Sequence, residues 1–251
     1  MIKIGVIHTT AATLQSTSEL IKNTIDDAVI MNILDDTILP DMAMENNVDY
    51  VRQRWITYAK TLADMGADAV LSACSTVGPF AEEADTILNI PVLRIDDAMA
   101  EEAAKIGNNI TVLATFRPTL KPTTDLIKRK NPNAEIKTIL IDEAYTALGN
   151  GDRQKHDCLI LEKVSEEAEN ADIIVLAQAS MASALENSGL DTDKILTSPV
   201  LGIKKQKSSL VYHIYLRKMI FLIKKDTADA MSVLKRRLGY YETHIVFIGF
   251  Y

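Results

Sequence analysis

Short apolar runs alternate with amphipathic stretches along most of the chain. The runs predict strands at Lys3–Ile7, Val29–Leu34, Ala69–Ala73, Val92–Ile95, Ile110–Ala114, Ile136–Ile141, Ile173–Ala177 and Lys194–Leu196. The stretches between them predict helices near Leu14–Asn23, Val48–Met65, Gly78–Ile87, Asp97–Ile106, Thr119–Lys130, Cys158–Asn170 and Met181–Ser188. Strand-helix alternation implies an α/β fold with a mainly parallel sheet covered by helices on both faces. In such folds ligands sit at the carboxyl ends of the strands. Residues just past each strand therefore become the first candidates for chemistry, Cys74 among them.

The pattern also repeats once. "ADAVLSACS" begins at Ala67 and "ADIIVLAQA" at Ala171, an offset of 104 that sets Cys74 opposite Gln178. "IGVIHTT" from Ile4 parallels "ITVLATF" from Ile110 at an offset of 106. Two matches in the same order and nearly the same register point to duplication. Duplicated α/β halves would face each other across a pseudo-twofold axis. The strand-end loops of both would line one cleft, with Cys74 and Gln178 on either side of a small molecule. The expected organisation is a first lobe over residues 1–95, a second over 96–203, and a C-terminal segment over 204–251.

Composition changes the picture mainly at that last segment. With 251 residues, 47% of them apolar, the chain can fill one large domain or two small ones. The net charge of −7 argues against a nucleic-acid or anionic-membrane partner. Residues 204–251 carry ten Lys/Arg against three Asp/Glu and eight of the fourteen aromatics. That leaves −14 on residues 1–203, the chain's −7 less the segment's +7. Within the segment, Arg217 and Lys218 interrupt "LVYHIYLRKMIFLI", so it does not read as a membrane span. A genuine extension that mediates oligomerisation and an altered reading frame both account for the change in character. "IKIGVI" directly after Met1 lacks a signal-peptide layout, and two cysteines do not make a disulfide framework. A cytoplasmic protein with free thiols is expected.

Cys74 ends a strand, is followed by Ser75 and Thr76, and precedes a Gly-Pro pair able to open a helix. A free cysteine is commonly an inert core residue. The strand-end position and the repeat favour a reactive one. Helix N–H groups near Gly78 would favour a thiolate or a substrate carboxylate. Thr9 and Thr10 follow the first strand, Thr115 follows its counterpart, and Thr119 lies close by. Gln178 sits at the matching tip with Ala179 and Ser180 behind it. His8 is a candidate acid or base because it ends the first strand. His156, His213 and His244 show no metal-ligand spacing, and no phosphate-binding glycine motif is present. Neither a metal nor a nucleotide cofactor is expected.

"GVIHTT", "LSACSTVG", "VLATFRPT", "ADIIVLAQASMA" and "TSP" together resemble the aspartate/glutamate/hydantoin racemase superfamily, to which arylmalonate decarboxylase is related. The resemblance covers about residues 1–203. It implies two pseudo-symmetric lobes with the site between them and a small carboxylate as substrate. Such enzymes use no cofactor, and a homodimer is an assembly consistent with them. In the racemases a cysteine stands at both strand tips: one thiolate removes the α-proton, and the other thiol returns a proton to the opposite face. The resemblance assigns that chemistry to Cys74. It gives Ser75 and Thr76 to the substrate carboxylate, and Thr9, Thr10, Thr115, Thr119, Gln178, Ala179 and Ser180 to the cleft. Gln178 departs from the two-thiol pattern, since an amide is neither acid nor base. Racemisation is the family-level expectation. One-cysteine decarboxylation or isomerisation, and a non-catalytic acid-binding protein, are the alternatives.

Overall fold

The computed structural model describes residues 1–44, 47–186 and 188–203. Among these, eight strands form: β1 (Ile2–His8), β2 (Ala28–Leu34), β3 (Ala69–Ser72), β4 (Val92–Arg94), β5 (Asn109–Ala114), β6 (Glu135–Leu140), β7 (Ile173–Leu176) and β8 (Ile195–Thr197). They divide into two four-stranded sheets of order β2-β1-β3-β4 and β6-β5-β7-β8. Every pairing is parallel. The central strands β3 and β7 are buried at every position, which is why they read as unbroken apolar runs. The outer strands β2 and β6 are partly exposed.

Eight α-helices lie wholly within the described residues: α1 (Leu14–Thr24), α2 (Ile38–Met42), α3 (Val48–Asp64), α4 (Gly78–Ile87), α5 (Asp97–Ile106), α6 (Arg117–Lys130), α7 (Asp142–Gly149) and α8 (Arg153–Glu167); residues 198–203 are helical as well. The periodic pattern does not reveal α2 and α7. They are five and eight residues long, too short to build a 3.6-residue signal. Their places match, since each follows the outer strand of its lobe and precedes a long helix. Helix α8 starts five residues before the predicted Cys158. The Asp152 carboxylate accepts from Lys155 N at 3.0 Å and caps a polar first turn. The helix expected at Met181–Ser188 is instead a 3-10 stretch, Ala179–Leu185. There Ser183 Oγ donates to the Ser180 carbonyl at 3.1 Å, a local bond that competes with α-helical pairing.

The duplication holds at the level of single residues. Lys3 pairs with Val29, and Asn109 with Glu135; Ile4 pairs with Ala69, and Ile110 with Ile173. The Ala-Asp pair that opens each copy has a physical cause. Asp68 Oδ2 accepts from Lys3 N at 2.8 Å, and Asp172 Oδ2 accepts from Asn109 N at 3.0 Å. The backbone N–H of each Asp returns the bond to the carbonyl of the same residue, at 2.7 and 2.9 Å. Each aspartate therefore fixes the entry edge of its central strand pair.

Each sheet carries an apolar cluster on both faces. Trp55, Ile56 and Phe80 from α3 and α4 cover one face of the first sheet, and Ile21 of α1 helps cover the other. Helix α5 follows the first sheet but places Met99, Ala100 and Ala103 on the second. Conversely, Ile203, after the second sheet, joins the first sheet's cluster. At the neighbouring Gly202 a Cβ would fall on the Ile95 carbonyl, so only glycine permits this close approach. The lobes are therefore interlocked by exchanged segments. Residues 204–251, with the sequence expectations attached to them, lie outside the described residues.

Candidate functional site

Four residues lie two positions beyond the central strands of the two lobes: Thr10, Cys74, Phe116 and Gln178. All have extended backbone, with φ/ψ of −155/144, −141/122, −125/118 and −118/140. Each leads directly into a helical turn, so backbone N–H groups without partners inside the helix gather beyond the strand tips. The turns meet crosswise. The turn after β1 touches the one after β7, and the turn after β3 touches α6. The second meeting is closed by a hydrogen bond of 2.7 Å between the Thr76 and Thr119 hydroxyls, both buried.

Cys74 is half-buried at this junction and packs on the cluster that contains Ile7, Val77 and Phe80, whereas Cys158 is exposed. Ser72 Oγ donates to the Cys74 carbonyl at 3.2 Å and holds the tip. Ser75 is 3% exposed, and its Oγ has no partner among the described residues. A buried hydroxyl without a partner is costly and rare, so it marks a place where a ligand oxygen would be welcome. Thr9 is buried. Thr10 Oγ1 accepts from Ala12 N at 3.3 Å and caps its own turn.

Gln178 has a definite job. Its Oε1 accepts from Thr115 N at 2.6 Å, Thr115 Oγ1 at 3.1 Å and Phe116 N at 3.3 Å. The side chain thus clamps the loop that follows β5. Its carbonyl is committed within the protein, and its Nε2 has no partner among the described residues. Ala179 and Ser180 stand half-buried in the turn behind it.

His8 is fully buried, with Nε2 3.1 Å from Asn32 Oδ1. Asn32 Nδ2 donates to Ser18 Oγ at 3.3 Å, so Oδ1 is the atom turned toward the ring and His8 Nε2 carries the proton. Nδ1 then holds a lone pair without a partner among the described residues. Burial pushes the imidazole below its ordinary 6.5, and the bond to Asn32 only partly opposes this. His8 is a neutral group beneath the tips.

Sequence patterning does not find Tyr145, which stands on α7. Its ring stacks on Phe116 with centroids 4.9 Å apart and planes at 26°. Burial, and then the negative charge of Cys74, push its phenol above the ordinary 10.0. The short length of α7 hid the residue; only its equivalence with α2 under the repeat could have suggested an element there.

An ion cluster built on the buried Arg94 and Asp96 joins the lobes. Arg94 donates to both Asp96 oxygens, at 2.9 and 2.7 Å, and to Glu82 at 2.7 Å. It also reaches the Pro122 carbonyl of α6 at 3.4 Å, and Arg129 of α6 meets the same Glu82 at 2.6 Å. Among the described residues no group of three or more His, Cys, Asp or Glu is placed to hold a metal ion. Nor is any helix among them long and apolar enough to cross a membrane.

Two interlocked, duplicated parallel α/β lobes whose strand-end turns meet beside a cysteine define a two-lobed α/β protein. Residues 4–201 match the Asp/Glu/Hydantoin racemase family, and the chain belongs to that family. Solved structures of similar fold include an aspartate racemase from Picrophilus torridus, at 17% identity and a TM-score of 0.62 over 83% of this chain and 94% of that one. A glutamate racemase isoform from Bacillus anthracis matches at 16% identity and a TM-score of 0.69 over 84% and 82%. An allantoin racemase from Klebsiella pneumoniae matches at 16% identity and a TM-score of 0.65 over 84% and 88%. No curated protein matches the chain in sequence.

Proposed function

We propose that this chain is a cofactor-independent, racemase-like isomerase of the cytoplasm. It acts on a small carboxylate, with Cys74 exchanging the α-proton. The observation that carries this reading is the place of Cys74: a half-buried thiol at a central strand tip, where the turns of the two family lobes meet. The unpartnered Ser75 Oγ and the N–H groups that open the turns after Cys74 and Gln178, including those of Thr76, Ala179 and Ser180, suit a carboxylate. Thr9 and Thr10 border the same space from the first lobe, Thr115 and Thr119 from the second. As negative charge develops on the carboxylate during proton removal, these fixed donors stabilise it. His8, buried with an Nδ1 that has no partner among the described residues, is the second candidate for acid or base work beside Cys74.

A one-cysteine decarboxylase or isomerase is the second reading, favoured by the amide at Gln178. Loss of carbon dioxide leaves the carbanion directly, so a single proton donor suffices. The test is deuterium incorporation at the α-carbon in heavy water, using the enantiomers of aspartate and glutamate, with Cys74→Ser alongside. Incorporation that depends on Cys74 supports the proposal. No incorporation with any of them, combined with binding of a small acid, moves the chain to a non-catalytic acid-binding role.

A further inference from the structure

Inversion at carbon needs a proton to leave one face and another to arrive at the opposite face. If Cys74 serves one face, Gln178 cannot serve the other, because its amide does not ionise and its carbonyl is bound by three donors. Another proton-bearing side chain of the second lobe, Tyr145, lies against Phe116 beside these tips. We propose that Tyr145 is the second proton-transfer residue, its phenol delivering a proton to the face of the substrate carbon opposite Cys74.

Three observations place it there. The Tyr145 ring lies against Phe116, the residue at the tip of β5, at a centroid distance of 4.9 Å. Phe116 N in turn donates to Gln178 Oε1 at 3.3 Å, so the clamp on the loop also fixes the surface on which the phenol rests. Tyr145 is half-buried, and its hydroxyl has no hydrogen-bond partner among the described residues, which leaves its proton free for a ligand. Phe116 opens α6, whose first turn is bonded through Thr119 to Thr76 in the turn that Cys74 opens, so the phenol and the thiol flank one junction of the two lobes. Burial raises the phenol above its ordinary value and keeps it protonated at neutral pH, the form a donor needs.

The step balances without an outside reagent other than water. The Cys74 thiolate takes the α-proton and becomes a thiol, and the electron pair of the broken C–H bond moves into the carboxylate as an enediolate. The pair then returns to carbon, where it forms a new C–H bond with the Tyr145 proton and leaves a phenolate. Water gives a proton to the phenolate and accepts one from the thiol, which restores the starting state.

This inference rests on the α-proton chemistry proposed for Cys74, and Tyr145→Phe separates the two. Phenylalanine keeps the stack on Phe116 and removes only the transferable proton. With the enantiomers of aspartate and glutamate in heavy water, the wild-type chain should exchange and invert. Tyr145→Phe should keep α-deuterium incorporation with retained configuration within about threefold, while inversion falls about 10²-fold or more. A purely structural role would lower both together. Inversion unchanged in the variant overturns the proposal, as does a parallel loss of exchange and inversion in a folded variant. Wild-type exchange without inversion also overturns it and leaves the Cys74 reading standing. Absence of wild-type exchange with every probe sinks that reading and this one with it.

Discussion

Cys74 and Gln178 end equivalent strands in equivalent registers, with nearly the same backbone angles, and they are opposites in what they do. The second tip reaches sideways: Gln178 ties down Thr115 and Phe116 through one oxygen. A thiol is too short for that, and in the first lobe the matching Thr10 caps its own turn instead. Cys74 is therefore left without a fastening task, half-buried where the lobes meet. Duplication has preserved what the backbone requires, such as the Asp68 and Asp172 bonds, while the two tips have diverged into a fastener and a reagent. A shared scaffold does not imply shared chemistry at the positions it superimposes.

The sharpest way to break that contrast is to exchange the tips' functions by mutation. Cys74→Ser keeps shape and removes the ionisable sulfur, so α-proton exchange should fall by about 10²–10⁴ with little change in stability. If exchange survives in a folded Cys74→Ser protein, the first tip is not the reagent. Gln178 should behave the other way. Gln178→Ala leaves the Thr115 and Phe116 N–H groups without their acceptor, at a cost of about 1–3 kcal/mol in urea unfolding. Gln178→Glu retains an acceptor oxygen at the same reach and should cost less. Equal losses for the alanine and glutamate variants would mean that the clamp is not what holds the loop.

Much of this architecture is legible in the sequence, for physical reasons. Fully covered central strands must be continuous apolar runs, and the Ala-Asp repeat marks a hydrogen bond that each lobe needs. What escapes the pattern is short or depends on tertiary contact. The five- and eight-residue helices α2 and α7 carry too little periodicity. The tip residues Cys74, Ser75, Thr76, Thr115 and Gln178 are visible because they follow strands. The part Gln178 plays is not, since nothing local says that its amide reaches back 63 residues to Thr115. Tyr145 has no motif at all and enters only because α7 folds onto Phe116.

The two entry-edge aspartates offer a finer test of equivalence. Each accepts backbone N–H groups at the partly exposed start of a central strand pair, so Asp68→Ala and Asp172→Ala should each cost about 1 kcal/mol. Loss of stability at one site alone would show that the lobes share geometry but not energetics there.

The smallest expected effect concerns a place where the copies differ inside the core. His8 ends β1, and the matching residue at the end of β5 is Ala114, by the 106-residue offset. The buried imidazole has a folded pKa below 6.5, because burial disfavours its charged form more than the Asn32 bond favours it. In the unfolded chain the same ring returns to an ordinary value. Between the two values the unfolded state binds the extra proton, so stability rises with pH there. The contribution is therefore fully present above about pH 6.5 and is lost as pH falls toward the folded value. His8→Gln removes the titration and keeps an amide able to donate to Asn32 Oδ1. Urea unfolding between pH 7 and pH 5 should show a shallower decline for this variant than for the wild type. Identical slopes would mean that the ring takes up its proton in the folded protein as readily as in the unfolded chain. In that case the core of the first lobe tolerates a charge where its counterpart carries only a methyl group.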